Sequence, residues 1–365
     1  MDTVFVNVLR DLAQISYAKG ENNLAYALIL EASRLRPEGP VIKKRKELYL
    51  KYVTENTLFQ RNFNLLECIN KLNTTDNELF KKSIQSVFEA ISSNANIRLI
   101  ETRNRAGKKT HYHHFFGSCF LPIIECAAYD GFKKDVIYFM CSHGPLDYDV
   151  QNLIEILDEK IIVLEESVYK LLHRSAQFEV SILPSYDRNW SLGGAESRYS
   201  RALIKKMILD LCLDKTRVKS NNEKVVTIIE RLAPLDAYQK GGVASGTERR
   251  SIPNLTLLKN ELSKEFTHVN MASFEGMNLT EKVKLLAGSD ILIIQFGAGM
   301  NNMWWLHKGA HVIEITPKHW LRKDNGYAYA VMADSHELNY HRVIQSDDHA
   351  PVDIHRIKNI CVNIE

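Results

Sequence analysis

The run Asp290-Ile-Leu-Ile-Ile-Gln-Phe-Gly-Ala-Gly-Met-Asn-Asn-Met-Trp-Trp-Leu306 carries more structural information than any other part of the chain. Its unbroken aliphatic stretch at 291–294 has the length of a strand buried on both faces. Gly297-Ala298-Gly299 breaks that strand, and a short helix is expected to begin at once. A strand that passes through glycine into a helix belongs to a parallel sheet with crossover helices. The glycines let the backbone come close to a ligand, and the new helix aims free N–H groups and a positive dipole end at it. The same letters also describe a tight strand–helix turn that serves packing alone.

The same grammar repeats on both sides. Strands are expected at 225–229, 266–269 and 312–315, with helices at 255–262, 280–286 and 352–362. An earlier series has strands at 97–100, 136–140, 161–164 and 178–183, alternating with helices at 115–129, 150–157 and 197–213. The two series meet near 214–223 and predict an α/β fold of two Rossmann-like domains with a cleft between them. A glycine-rich loop, 239–247, lies inside the second. Ahead of both, 4–52 reads as helices that break at Gly20 and Pro37. The spacing Leu12-Ala13, Gly20, Ala25, Ile29, Ala32, Pro37 resembles one tetratricopeptide repeat. A single such hairpin cannot bury its own face, so it must pack on the next helix or on the main body, as a brace or as a docking point for a protein partner. Residues 53–94 continue helical with a polar break at 73–77. The expected division is 1–94 helical, 95–215 first domain, 216–345 second domain, and 346–365 a C-terminal helix able to cross back.

Composition narrows the class. Of 365 residues, 45% are hydrophobic and 25% charged, which excludes a disordered or fibrous chain. The net charge of +3 is too small for a dedicated nucleic-acid binder. Cys68, Cys119, Cys126, Cys141, Cys212 and Cys361 form no C-x-x-C pair, so neither a zinc framework nor a disulfide scaffold is expected. Met1-Asp2-Thr3-Val4 puts an acid where a signal peptide carries basic residues, and no apolar run is long enough to span a bilayer. A cytoplasmic location is therefore expected.

Several residues suggest chemistry. Asn301 and Asn302 can cap the helix after the glycines or donate to an anion. Glu314, on the next strand, is placed to accept from ribose hydroxyls, or stands as a strand-end acid. Together these make a nucleotide half-site. A nicotinamide dinucleotide enzyme wants G-x-G-x-x-G, yet here Asn302 holds the third position and the motif lies late in the chain. Asp147-Tyr148-Asp149 matches the Asp-x-Asp of metal-using transferases, but Gly144-Pro145 separates it from the strand and a helix comes next, which suits capping. Asp347-Asp348 reads as a surface turn. His111, His113 and His114 form a titratable cluster suited to base work, or to helix capping; Cys119 and Cys126 are not spaced to add zinc ligands. Other candidate bases are Asp187 and Glu196. Tyr186, Trp190, Trp304 and Trp305 could stack on a sugar or base, or fill a core.

From Lys224 onward the chain resembles glycosyltransferase family 61. One signature is Glu248-Arg249-Arg250-Ser251-Ile252-Pro253-Asn254, similar to the family's Arg-Arg-x-hydrophobic-x-Asn after a strand ending at Arg231. Another is the helix Leu279-Thr-Glu281-Lys282-Val-Lys-Leu-Leu-Ala-Gly-Ser-Asp290. The third is Phe296-Gly-Ala-Gly-Met-Asn-Asn302 with Gly309-Ala310-His-Val-Ile-Glu314-Ile. Upstream, His113-His114-Phe115-Phe116 with Leu121-Pro122 is similar to the family's Tyr-x-His-Trp…Leu-Pro. Phe296 replaces the usual His, and Lys282 a common Gln.

The resemblance implies a GT-B-like fold and inverting, metal-independent sugar transfer in bacterial capsular or lipopolysaccharide synthesis. The donor would be a UDP-linked nucleotide sugar and the acceptor a glycan or lipid-linked glycan, with no cofactor; a lipid-linked acceptor would also allow peripheral membrane association, which needs only a modest basic or apolar patch. It also implies donor contacts from Arg231, Arg249, Arg250, Asn254, Glu281, Gly297, Gly299, Asn302 and Glu314, with His114 on the acceptor side; Asp187 is added there because its loop follows a strand of the first domain, where ligand clefts of open α/β sheets lie. Elementary chemistry agrees, since a departing diphosphate needs forked cations and the acceptor hydroxyl a base. The alternatives are a nicotinamide-dependent oxidoreductase and a non-catalytic scaffold.

Overall fold

Two parallel sheets organise the chain, each in its own unit. The computed structural model describes residues 3–20, 22–52, 78–93, 95–102, 112–129, 131–174, 178–183, 195–213, 223–233, 246–322 and 328–364. One unit comprises Met1–Glu101, Phe132–Ser142 and Glu159–Ile182; the other comprises Thr102–Gly131, His143–Asp158 and Leu183–Glu365.

The first unit begins with the helices α1 (Thr3–Ala18), α2 (Asn22–Leu35) and α3 (Pro40–Leu50), with α4 (Glu78–Ser92) later. Gly20 turns the chain between α1 and α2 at φ 77°, where a side chain would be strained. Leu9, Leu12 and Ala13 of α1 meet Leu24, Ala25, Leu28 and Ala32 of α2, the alanines allowing close approach. This hairpin shares one core with Phe80, Ile84 and Val87 of α4 and with Leu99, Phe139 and Leu164 of the sheet. Its apolar face is thus buried in a core shared with helix Glu166–Arg174, through Val168 and Leu172, with α4 and with the sheet.

That sheet is formed by β1 (Asn96–Thr102), β2 (Val136–Cys141), β3 (Ile161–Leu164) and β4 (Glu179–Leu183), in the order β3-β2-β1-β4. The β1–β2 and β2–β3 pairs are parallel.

The second unit holds β5 (Val225–Ile229), β6 (His268–Ala272), β7 (Ile291–Gln295), β8 (His311–Pro317) and β9 (Asn339–Gln345), in the order β6-β5-β7-β8-β9. Each neighbouring pair in that order is parallel. The chain runs from β5 out to β6, then returns past β5 to lay down β7. Strand order therefore reverses between β5 and β7, and in open α/β sheets ligands bind beyond the carboxyl ends of such a strand pair. One face of the sheet packs on the helices Leu255–Leu262 and Ile354–Val362 through Leu258, Leu262, Ile357 and Cys361.

The fold is thus mixed α/β with parallel sheets and N-terminal helices. The apolar runs at 161–164 and 225–229 are strands with those bounds. Two readings need correction. The strand expected at 266–269 begins at His268, because the Phe266 N–H still bonds the Leu262 carbonyl in the exit turn of the preceding helix. The second correction is β9, a strand that the sequence pattern does not predict. Asn339-Tyr-His-Arg-Val-Ile-Gln345 carries little apolar signal, because as an edge strand it needs few buried side chains.

Helix Tyr112–Phe115 passes through a π-helical turn, Phe116–Phe120, into helix Leu121–Ala128. In the turn, the Leu121 N–H reaches back five residues to the Phe116 carbonyl. Pro122, the next residue, has no N–H and would crowd the carbonyl four residues before it in a regular helix. Among the described residues, no helix is long and apolar enough to cross a membrane.

Candidate active site

β5 ends at Ile229 and β7 at Gln295, the two strands that flank the reversal. Arg231 lies just past the first, and Phe296 with Gly297 just past the second. Arg231 Nη2 donates to the Phe296 carbonyl at 3.1 Å, and Arg250 Nη1 donates to the same oxygen at 2.5 Å. Gly297 sits at φ 149°, and a Cβ there would collide with the Arg231 guanidinium. The backbone thus calls for glycine, and any side chain there would also push the Arg231 guanidinium aside.

Aromatic rings line the cationic cluster. The Arg250 guanidinium lies 4.9 Å from the Trp320 ring and 5.2 Å from the Phe296 ring, and that of Arg249 lies 5.7 Å from Trp320. Phe296 in turn packs on Trp320 and Tyr329. At the position where the resembling family has His, this chain contributes a carbonyl and an arginine-facing ring.

The cluster carries uncompensated positive charge. Arg250 is only 2% exposed. Burial, then the neighbouring Arg231 and Arg249, pushes its guanidinium down to about 10. Burial likewise lowers Arg231, against the pull of Glu275. Asp348 Oδ1 stands 3.8 Å from Arg250 Nε, and neither atom makes a hydrogen bond. Three cations against Glu275 and Asp348 leave a site that an anion would relieve.

Glutamine amides fix the segment bearing Arg250. Gln295 Nε2 donates to Gln345 Oε1 at 2.7 Å, Gln345 Nε2 donates to the Ser251 carbonyl at 2.9 Å, and the Ser251 N–H donates to the Asp348 carbonyl at 2.8 Å. The Asp347-Asp348 turn, expected from sequence at the surface, therefore delivers Asp348 to Arg250; only Asp347 serves its own turn, accepting from the His349 N–H.

The helix after the glycines is a 3-10 helix, Ala298–Trp305. No side chain caps its start. Asn302 donates instead to the Gly299 carbonyl at 3.0 Å and accepts from the Tyr112 hydroxyl at 3.3 Å. Asn301 is fully buried, as are Trp304 and Trp305, which pack on Phe116 in the core. At the far end of this helix, Lys205 donates to the Leu306 carbonyl. Burial pushes that ammonium down to about 8.

Other expected site residues are engaged with different partners. Asn254 clasps the Val352 backbone, donating to its carbonyl at 2.9 Å and accepting from its N–H at 3.0 Å. Glu281 forms a reciprocal cap with Asn278 at the start of helix Leu279–Ala287. Glu314 is fully buried: its carboxylate accepts from Thr316 and from the Tyr340 hydroxyl, with Arg342 Nε at 3.5 Å. Burial raises its pKa despite these partners. Asp147 accepts from the His143 N–H at 2.6 Å, and Asp149 pairs with the buried Lys282 at 2.8 Å.

Of the residues expected to hold a donor, the fold thus brings Arg231, Arg249, Arg250 and Gly297 together, with Gly299 and Asn302 in the adjoining helix. His114 lies in helix Tyr112–Phe115, but its side chain, like those of His113 and Glu196, falls outside the described residues. So do His111, Tyr186, Asp187, Trp190 and residues 239–245 of the glycine-rich loop. Sequence reasoning misses Trp320, Tyr329 and the role of Asp348. No local motif marks them, since they reach the arginines only through the fold.

Comparison with known families gives one match: the family described as Glycosyltransferase 61, over residues 112–313, more than half of the chain. The matched span includes Arg231, both arginines of the pair and the glycine turn. No curated protein matches the chain.

Proposed function

Since the chain belongs to glycosyltransferase family 61, and is accordingly a glycosyltransferase acting on a sugar donor and an acceptor, we propose that its donor is a nucleotide sugar whose diphosphate seats against Arg231, Arg249 and Arg250. The observation that carries this reading is the convergence of Arg231 and Arg250 on the Phe296 carbonyl at the reversal of strand order. One carbonyl cannot neutralise two guanidiniums, and a diphosphate supplies the missing charge in forked geometry.

The acceptor hydroxyl oxygen attacks the anomeric carbon from the side opposite the diphosphate, inverting that centre. The sugar–phosphate bond breaks as the new glycosidic bond forms, and a base takes the hydroxyl proton. Charge then grows on the departing diphosphate, where the fixed arginines stabilise it without rearranging. Losing one such preorganised donor costs about 3–4 kcal/mol of transition-state stabilisation. In this reading cations of the protein do the work that other transferases give to a divalent metal. His114 and Asp187 are the proposed acceptor-side bases. Gly297, Gly299 and Asn302 shape the turn beside the diphosphate, while Asn254, Glu281 and Glu314 support the site through the backbone elements they anchor. The fold is read as GT-B-like with the donor on the five-stranded side, the donor as UDP-linked, and the product as a bacterial surface glycan.

Calorimetric titration with UDP, GDP, CMP and NAD, each with and without EDTA, tests the reading. Binding of one nucleoside diphosphate, unchanged by EDTA, is expected. Binding of NAD alone, or a strict need for metal, overturns it.

A further inference from the structure

Between residues 36 and 52 the chain holds six cations and two acids, so this segment is more positive than the entire chain, whose net charge is +3. Arg45 turns inward, donating to the Arg10 carbonyl and to Gln14. Among the described residues, Arg36, Lys43, Lys44, Lys46 and Lys51 take part in no ion pair. Large apolar side chains are interleaved with them. Val41 is 48% exposed, Leu48 39%, Leu50 45% and Tyr52 51%. Among the described residues, no other stretch of this length exposes as many.

Both features have one geometric origin. α3 packs on the body of its unit through Ile42 and Tyr49. With 3.6 residues per turn, Val41 and Leu48 fall along one flank of the outward face, bordered by Lys44; Lys51 and Tyr52 follow in the turn after α3, where the Tyr52 ring meets Tyr17 edge-on and stays half exposed. We propose that this face of α3 docks on an anionic lipid bilayer surface.

The choice of occupant rests on charge complementarity combined with the apolar stripe. Lysine ammonium groups draw the helix to acidic headgroups, each adding attraction that salt screens, while Val41, Leu48 and Tyr52 enter the headgroup boundary. A nucleic acid would use the cations and leave the apolar flank exposed to water. Because no described helix can cross a membrane, docking of this kind is a reversible, surface-bound attachment. It suits an enzyme whose acceptor is lipid-linked, yet none of these residues belongs to the arginine cluster, so the inference stands or falls without it.

The test is co-sedimentation of the full chain with phosphatidylcholine vesicles and with equimolar phosphatidylcholine–phosphatidylglycerol vesicles. Binding to the mixed vesicles alone, weakening as salt rises, is the expected result. The triple variant Lys43→Gln, Lys44→Gln, Lys51→Gln should bind roughly a hundredfold more weakly. Val41→Ser with Leu48→Ser should also weaken binding while keeping its salt dependence. These positions are exposed, and an unchanged circular-dichroism melt confirms that each variant folds. Absence of binding to anionic vesicles overturns the proposal, as does binding that the lysine variant leaves intact. Equal binding to heparin with no effect of the serine variant also overturns it, in favour of a general polyanion surface.

Discussion

Arg231 and Arg250 arrive from separate loops and both donate to the Phe296 carbonyl oxygen, at 3.1 Å and 2.5 Å. Two like charges held on one neutral acceptor repel each other, and burial removes the water that would screen them. An anion seated between them would relieve that repulsion. A bound nucleoside diphosphate should accordingly stabilise the fold, by about 2.7 kcal/mol at a hundredfold excess over Kd. A thermal-shift titration measures this, and an unmoved Tm at saturating ligand would remove the arginines from the donor site.

Arg249 is exposed at the edge of the cluster, so Arg249→Ala should leave the melting temperature unchanged. Donor affinity should fall about tenfold to a hundredfold, the worth of one charge-assisted hydrogen bond. Calorimetry on the purified variant reads both the affinity and the stoichiometry.

Gly297→Ala should be costly without touching any ligand directly. Its φ of 149° disfavours a side chain, and the new methyl would displace the Arg231 guanidinium. Backbone strain of this sort costs on the order of 1–3 kcal/mol. Urea unfolding should show that loss, and donor titration should show weaker binding through the shifted arginine.

The pair Lys282–Asp149, at 2.8 Å, has side chains only 7% and 14% exposed. Removing one partner strands the other charge, so Lys282→Met or Asp149→Leu should each cost about 3–5 kcal/mol. The double variant should recover much of that loss, because no charge is left buried. Near-additive losses across the cycle would instead mean that the pair contributes nothing beyond its separate packing.

His311 and His341 join β8 to β9 through Nδ1 and Nε2, 3.1 Å apart, with their rings stacked. Burial lowers both, and for His311 the neighbouring His341, Lys224 and His307 add to the effect. The unfolded chain then binds more protons than the folded one over the intervening range. Stability is complete above about pH 6.5 and is lost as pH falls from there toward the depressed folded-state values. Denaturation midpoints between pH 7 and 5 should fall in the wild type, and His341→Asn should flatten that slope.

The parts of this fold legible in the sequence are those whose signal is local. Buried parallel strands such as Val225–Ile229 and Ile291–Gln295 must be apolar on both faces, so they announce themselves. Gly297 is legible because a tight strand–helix turn needs glycine. What stays hidden depends on distant partners. Asn254 looks like a helix cap or a ligand contact until Val352 is seen beside it, 98 residues on. Glu314 invites a ribose reading until β9, itself too polar to recognise, supplies Tyr340 and Arg342. Asp348 and Trp320, in the segments after β9 and β8, join the arginines only in the folded chain.

The π turn at Phe116–Phe120 acts on phase as well as on packing. An inserted residue rotates everything before it by about 100° around the helix axis. Residues Tyr112–Phe115 therefore present a different side than an uninterrupted helix ending at Ala128 would. Remove the insertion, and the Tyr112 phenol would swing more than a quarter-turn away from Asn302. The turn ahead of Pro122 thus sets the clocking of Tyr112 against the glycine-loop helix.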